Sequence, residues 1–118
     1  MRIFRRKLKT KKFNQRWQEL QKLCASRKTW PAAVTEADNL LCEALKKRGY
    51  KGKTTGERLV AAQHELTDNE AAWFGHKLRQ KVSEETIDVR TLKKKDIVIA
   101  LAGFREALRD LGALTNDQ

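Results

Sequence analysis

An all-α fold, a compact antiparallel bundle of about five helices, is what this chain predicts. Three observations carry that expectation. One proline and six glycines are spread over 118 residues, and Ala, Leu, Lys, Glu and Arg dominate, which favours helix over sheet. Apolar residues recur at the three- and four-residue steps of a helix face. Two T-x-x-E pairs, Thr54/Glu57 and Thr67/Glu70, stand where helices would begin. The length supports one domain with one modest core. We divide it into a basic arm over residues 1–12, a helical domain over 13–114 and a frayed tail over 115–118.

The first helix is expected over about 13–27, where Phe13, Trp17, Leu20 and Cys24 form one apolar stripe. Trp30–Pro31 interrupts it, because proline restrains its predecessor and suits a first helical turn. A second helix follows over about 31–48, burying Val34, Ala37, Leu41, Ala44 and Leu45, with Gly49 as its C-terminal cap. The linker from Gly49 to Gly56, GYKGKTTG, is not a phosphate loop. The Walker spacing would need a glycine at Lys47, and no strand precedes it. It reads as a turn leading into the Thr54/Glu57 capping box of a third helix, about 55–66, which buries Leu59, Ala62 and Leu66. The Thr67/Glu70 box opens a fourth helix over about 68–85, with Phe74, Leu78 and Val82 as its core stripe. Residues 86–91 read as a connection in which Ile87 and Val89 alternate. The last helix, about 92–111, carries the strongest period, Ile97, Leu101, Phe104, Leu108 and Leu111, and Gly112 ends it.

Charge is concentrated at one end. Residues 1–30 hold eleven Lys/Arg and the single acid Glu19, which is +10 of the total +11. Seven of those cations, Arg2, Arg5, Arg6, Lys7, Lys9, Lys11 and Lys12, fall within residues 1–12 with no acid among them. Such a block stays solvated or binds a polyanion, and a phosphate backbone would relieve its self-repulsion. A membrane surface fits less well, because Ile3, Phe4 and Leu8 offer little apolar area. The longest uncharged apolar run, Ile97 to Phe104, is eight residues, far short of a span. The basic start is not followed by the apolar stretch of a secretory signal. Cys24 and Cys42 form no C-x-x-C pair and read as reduced thiols. A cytoplasmic protein without cofactor or metal is therefore expected; His64 and His76 show no metal-binding spacing, and His64 reads as solvated. Trp17 reads as core, and Trp30 and Trp73 as core or dimer contacts before base-stacking platforms.

The segment from Trp73 to Glu85, WFGHKLRQKVSEE, holds the most specific pattern. His76, Arg79 and Ser83 share a stripe offset from the core stripe, so His76 and Arg79 could converge on one phosphate. Arg79 followed by the polar Gln80 resembles the first half of the R-x4-6-H helix of the HEPN family, small helical nucleic-acid-binding proteins many of which are ribonucleases. The resemblance covers about 13–112 and includes the tryptophan before the second helix, the glycine-rich turn with Gly56–Glu57, and the arginine helix. It implies a small helical bundle, pairing into a homodimer through the motif helix, and a metal-independent attack of a ribose 2′-hydroxyl on its phosphate. The motif arginine would stabilise charge and the motif histidine would handle protons. Here Arg79 keeps its position, Glu84 stands where the histidine falls, and no histidine follows Arg79. A carboxylate beside a phosphate is repelled, and it acts as a base only if its pKa is raised. An ion pair of Arg79 with Glu84 or Glu85 is the plain structural alternative.

The expectation is a small basic HEPN-like protein, catalytically inactive, that binds RNA in preference to DNA. Arg2, Arg5, Arg6, Lys7, Lys9, Lys11 and Lys12 would supply sequence-independent phosphate contacts, and His76, Arg79 and Gln80 a localised one. Two alternatives belong to other classes: a toxin-type, metal-independent endoribonuclease acting through Arg79 and Glu84, and an antitoxin-like protein-interaction module with no nucleic-acid role.

Overall fold

The computed structural model describes residues 6–84 and 88–116. Among them the chain forms five α-helices and no strand: α1 (Thr10–Lys22), α2 (Trp30–Lys47), α3 (Thr55–Ala61), α4 (Asn69–Ser83) and α5 (Lys94–Asp110). The all-α bundle expected from the sequence is the fold. Arg2, Ile3, Phe4 and Arg5 of the arm, Glu85, Thr86 and Ile87 after α4, and Asp117 and Gln118 of the tail lie outside the described residues.

Helix α2 is the central element and packs against each of the other four helices. Its faces supply Val34, Ala37, Leu40, Leu41, Ala44 and Leu45 to the core, all fully buried. Pro31 sits in its first turn, where its missing N–H is no loss. Both α2 and α5 end in Schellman motifs. The Gly49 N–H bonds to the Lys46 carbonyl and Tyr50 N–H to Leu45; Gly112 and Ala113 repeat the pattern onto Arg109 and Leu108. Gly49 (φ 96°) and Gly112 (φ 79°) supply the left-handed residue that this motif needs.

Several boundaries differ from the sequence reading, each for a local reason. Helix α1 starts at Thr10, so Lys11 and Lys12 belong to its first turn rather than to a separate arm. Leu8, just before it, is buried in the core. At its other end α1 stops at Lys22 instead of about residue 27, and single 3₁₀ turns follow at Leu23–Ala25 and Arg27–Thr29. The Thr29 hydroxyl donates to the carbonyls of Leu23 and Ser26, and Trp30 Nε1 donates to that of Cys24 at 3.0 Å. Those side chains satisfy carbonyls that a longer helix would have paired. Helix α3 is shorter than expected, ending at Ala61, yet Leu59, Ala62 and Leu66 remain buried. Its cap is as read: Glu57 N–H donates to Thr54 Oγ1 at 3.1 Å, and the Glu57 carboxylate accepts from Lys53 N–H.

Helix α4 is capped by Asp68, not Thr67, with Ala71 N–H donating to Asp68 Oδ1 at 3.0 Å. Thr67 turns to α5, where its N–H and hydroxyl both donate to Asp110 Oδ2 at 2.9 Å. That contact sets the end of α5 beside the start of α4, so the two run antiparallel. At Gly103 their backbones come close: a Cβ there would lie 2.4 Å from the Ala71 carbonyl oxygen. Gly75 takes the Phe104 ring, which a Cβ there would meet at 2.8 Å. Small residues, Ala72 and Gly75 on α4 and Ala100, Gly103 and Ala107 on α5, thus form the contact. The expected stripe on α4 is rotated accordingly. Leu78 is buried, Val82 half-buried, and Phe74 is exposed. Leu101 on α5 is likewise only partly buried.

Candidate nucleic-acid interface

The described part of the basic segment is folded onto the bundle. Residues 6–9 have no regular secondary structure, and Leu8 anchors them by entering the core. The side chains of Arg6, Lys7, Lys9, Lys11 and Lys12 then line one cleft, about 560 Å³ in volume, together with Arg16 of α1 and Lys47 of α2. Leu8 and Phe13 contribute its apolar part. Glu43 is the one carboxylate among the lining residues. It is held by Arg16 and by Lys47 Nζ at 3.1 Å, and the hydrogen bond from Arg16 keeps its carboxyl below the usual range. The Arg16 guanidinium also reaches Glu36 at 2.9 Å; burial works against its charge, but these two glutamates outweigh that and raise its pKa.

The N-terminus of α1 opens beside this cleft. Lys9, its N-cap residue, makes no side-chain cap, and no acid lies in the first turn. Uncapped N–H groups at the positive end of a helix attract anions. The position of Arg6 is fixed from behind. Arg48, at the end of α2, donates from one nitrogen to the Arg6 carbonyl at 2.7 Å and pairs with Glu65 through its other nitrogens. Glu65 also accepts from the Tyr50 hydroxyl at 2.6 Å. Burial alone would push the Glu65 carboxyl up, but the bonds from Arg48 and Tyr50 hold it below its ordinary value.

The arginine helix presents a different picture from the one its sequence suggested. His76 is not on an open stripe: it is 5% exposed, and its Nδ1 lies 3.0 Å from Asp38 Oδ1 of α2. Asp38 is itself 2% exposed. The Trp73 ring stands edge-on to the imidazole, with centroids 5.9 Å apart. A carboxylate and an imidazole so covered cross-link α2 to α4 and leave no face for a phosphate. Arg79 is partly exposed, with one terminal nitrogen 3.6 Å from Asp38 Oδ2, while its Nε is buried without a hydrogen-bond partner. Among the described residues its carboxylate neighbour is Asp38, not Glu84. Glu84 is the exposed C-cap residue of α4, and Gln80 is exposed one turn earlier.

The basic side chains expected to act together are therefore brought together, as far as they are described, whereas His76 and Arg79 are tied to an acid that sequence reasoning passed over. A signal for Asp38 existed. It stands four residues after Val34 and three before Leu41, inside the apolar stripe of α2, where a carboxylate needs a partner. The small residues at Ala72 and Gly75 similarly signalled that α4 turns that side, not Phe74, inward. Trp17 and Trp30 are buried, Trp73 packs against the core, and His64 is exposed with its Nε2 3.4 Å from the Tyr50 hydroxyl. Among the described residues no helix is long and apolar enough to cross a membrane. Comparison with protein-family models, with curated proteins and with solved structures finds no match to this chain.

Proposed function

We propose that this protein binds single-stranded nucleic acid, RNA in preference to DNA, through the cleft beside the start of α1, and that it does not cleave what it binds. One observation carries the reading: seven cationic side chains converge on a single cleft whose one carboxylate is already paired. Lys and Arg contacts to phosphates release condensed counterions, and the uncapped start of α1 adds backbone donors. The HEPN resemblance supports the same function class. Arg79 and Gln80 form a secondary contact on α4, limited by the hold of Asp38 on the guanidinium. Catalysis is unsupported because His76 is buried against Asp38 and Glu84 occupies the position of the family histidine. The resemblance also implies a homodimer through α4, where Phe74 is exposed; sedimentation of wild type and Phe74→Ser checks this.

Fluorescence anisotropy with a labelled single-stranded RNA tests the binding. Affinity should fall about 50-fold between roughly 50 and 200 mM salt, the behaviour of four or so phosphate contacts at a slope of about −0.7 each. Lys11→Gln/Lys12→Gln should flatten the slope by about 1. A gel run afterwards in EDTA should show intact RNA. Binding that ignores salt and this variant would refute the proposed surface, and cleavage lost in Arg79→Ala would make the protein an enzyme.

A further inference from the structure

The cleft does not end at the arm. Arg6 also lines a second hollow, about 350 Å³, on the other side of the C-terminal end of α2. There it meets Lys46, Lys51 and Arg58, with Gly49, Tyr50 and Gly52 completing the lining, and no carboxylate is among the lining residues. Lys46 and Lys47 are consecutive residues in the last turn of α2, yet Lys47 lines the first cleft and Lys46 the second. Arg6 and the end of α2 are therefore the shared wall between two basic hollows.

The turn that shapes the second hollow is built tightly. Gly49 takes the left-handed conformation that closes α2. At Gly52 the chain lies so close to α3 that a Cβ would sit 2.9 Å from that of Glu57 and 3.1 Å from the Arg58 nitrogen. Of the acids nearest in sequence, Glu43 is paired with Arg16 and Lys47 and Glu65 with Arg48, while Glu57 accepts from Lys53 N–H and keeps its charge outside the lining. Lys46 and Lys51 are exposed and Arg58 is half-buried, and the hollow's lining offers them no counter-charge. The GYKGKTTG segment is not a nucleotide loop, but it does shape one wall of a basic hollow.

We infer that this hollow is a second phosphate-binding site, and that one single-stranded polynucleotide runs from the arm cleft past Arg6 into it. The inference rests on the nucleic-acid reading above and deepens it by giving the strand a path and a minimum length. A short oligomer would fill the arm cleft alone, and a longer one would engage both hollows.

The test is a length series of labelled oligouridylates, about 5 and about 15 nucleotides, titrated by anisotropy at several salt concentrations. Three double variants are compared with wild type: Lys46→Gln/Lys51→Gln in the second hollow, Lys11→Gln/Lys12→Gln in the first, and Lys93→Gln/Lys94→Gln as a control of equal charge on exposed positions at the start of α5. All six positions are exposed, so folding is retained and circular dichroism verifies it. The expected result is that Lys46→Gln/Lys51→Gln weakens the longer oligomer about tenfold, flattens its salt slope by about 1, and leaves the shorter one within twofold. Lys11→Gln/Lys12→Gln should weaken both lengths. If the longer oligomer loses no more affinity in Lys46→Gln/Lys51→Gln than in the control, the second site is overturned while nucleic-acid binding stands. If wild type binds neither length, both readings fall.

Discussion

Arg48 donates a hydrogen bond to the backbone carbonyl of Arg6 at 2.7 Å while its remaining nitrogens hold Glu65. A basic segment that would otherwise repel itself is thereby fastened to the end of α2, with Leu8 as its apolar anchor. Arg48→Met keeps much of the stem and removes the fork. It should destabilise the fold by about 1–3 kcal/mol, because Glu65 keeps only Tyr50 as a strong donor. It should also speed amide exchange at residues 6–9. Unchanged exchange there would show that Leu8 alone does the anchoring.

The same carboxylate gives a pH dependence. Glu65 and Glu43 are both held below their ordinary values, by their arginine and other donors. A depressed folded pKa means that the unfolded chain takes up protons first on acidification. Their stabilisation is complete above the unfolded value of about 4.3 and is lost as pH falls through the lower, folded values. The melting temperature should therefore hold level from pH 7 to about 5.5 and drop below about 4.5. Glu65→Gln should be less stable at pH 7 and show a shallower acid drop. An acid drop as steep as wild type in that variant would assign the effect to other carboxylates.

The Asp38–His76 pair is a cross-link inside the bundle, and its two members are unequal to Arg79 in burial. Asp38→Ala leaves an imidazole without its acceptor in the interior and should cost about 3 kcal/mol. Arg79→Ala should cost about 1 kcal/mol or less, since its guanidinium is partly exposed and 3.6 Å from its carboxylate. Chemical denaturation of both variants measures this. Equal losses would mean that Arg79 matters to the cross-link as much as Asp38 does.

Two glycines separate packing from conformation. Gly103→Ala forces a Cβ against the Ala71 carbonyl, which is backbone and cannot swing aside. It should push α4 from α5 and destabilise the fold by about 3 kcal/mol. Gly112→Ala meets nothing within 4 Å but must adopt φ near +79°, a strain of about 1 kcal/mol. Thermal melts should rank them in that order; the reverse order would place the dominant constraint in the α5 cap.

Fold class, helix order and caps were legible because they rest on local chemistry. The Gly49 and Gly112 stops, Pro31 in a first turn and the Thr54/Glu57 cap were each read from a few neighbouring residues and are present. What failed depends on partners distant in sequence. Asp38 and His76 are thirty-eight residues apart, and neither periodicity nor charge placed them together. Thr67 left its capping box for Asp110, forty-three residues on. The face of α4 was misjudged because helical wheels weigh large apolar residues, whereas the contact with α5 is set by glycine and alanine. For the candidate interface, composition located the cations, but only the folded chain shows that Lys47 joins them and that Arg6 is shared between two hollows.

The most direct measurement is a lysine footprint: brief acetylation of the protein alone and with saturating single-stranded RNA at about 50 mM salt, where screening is weak, read residue by residue by mass spectrometry. The expectation is protection at Lys9, Lys11, Lys12 and Lys47, and none at Lys28 or Lys93. Protection concentrated on α4, at Lys77, or spread evenly over the exposed lysines, would contradict it.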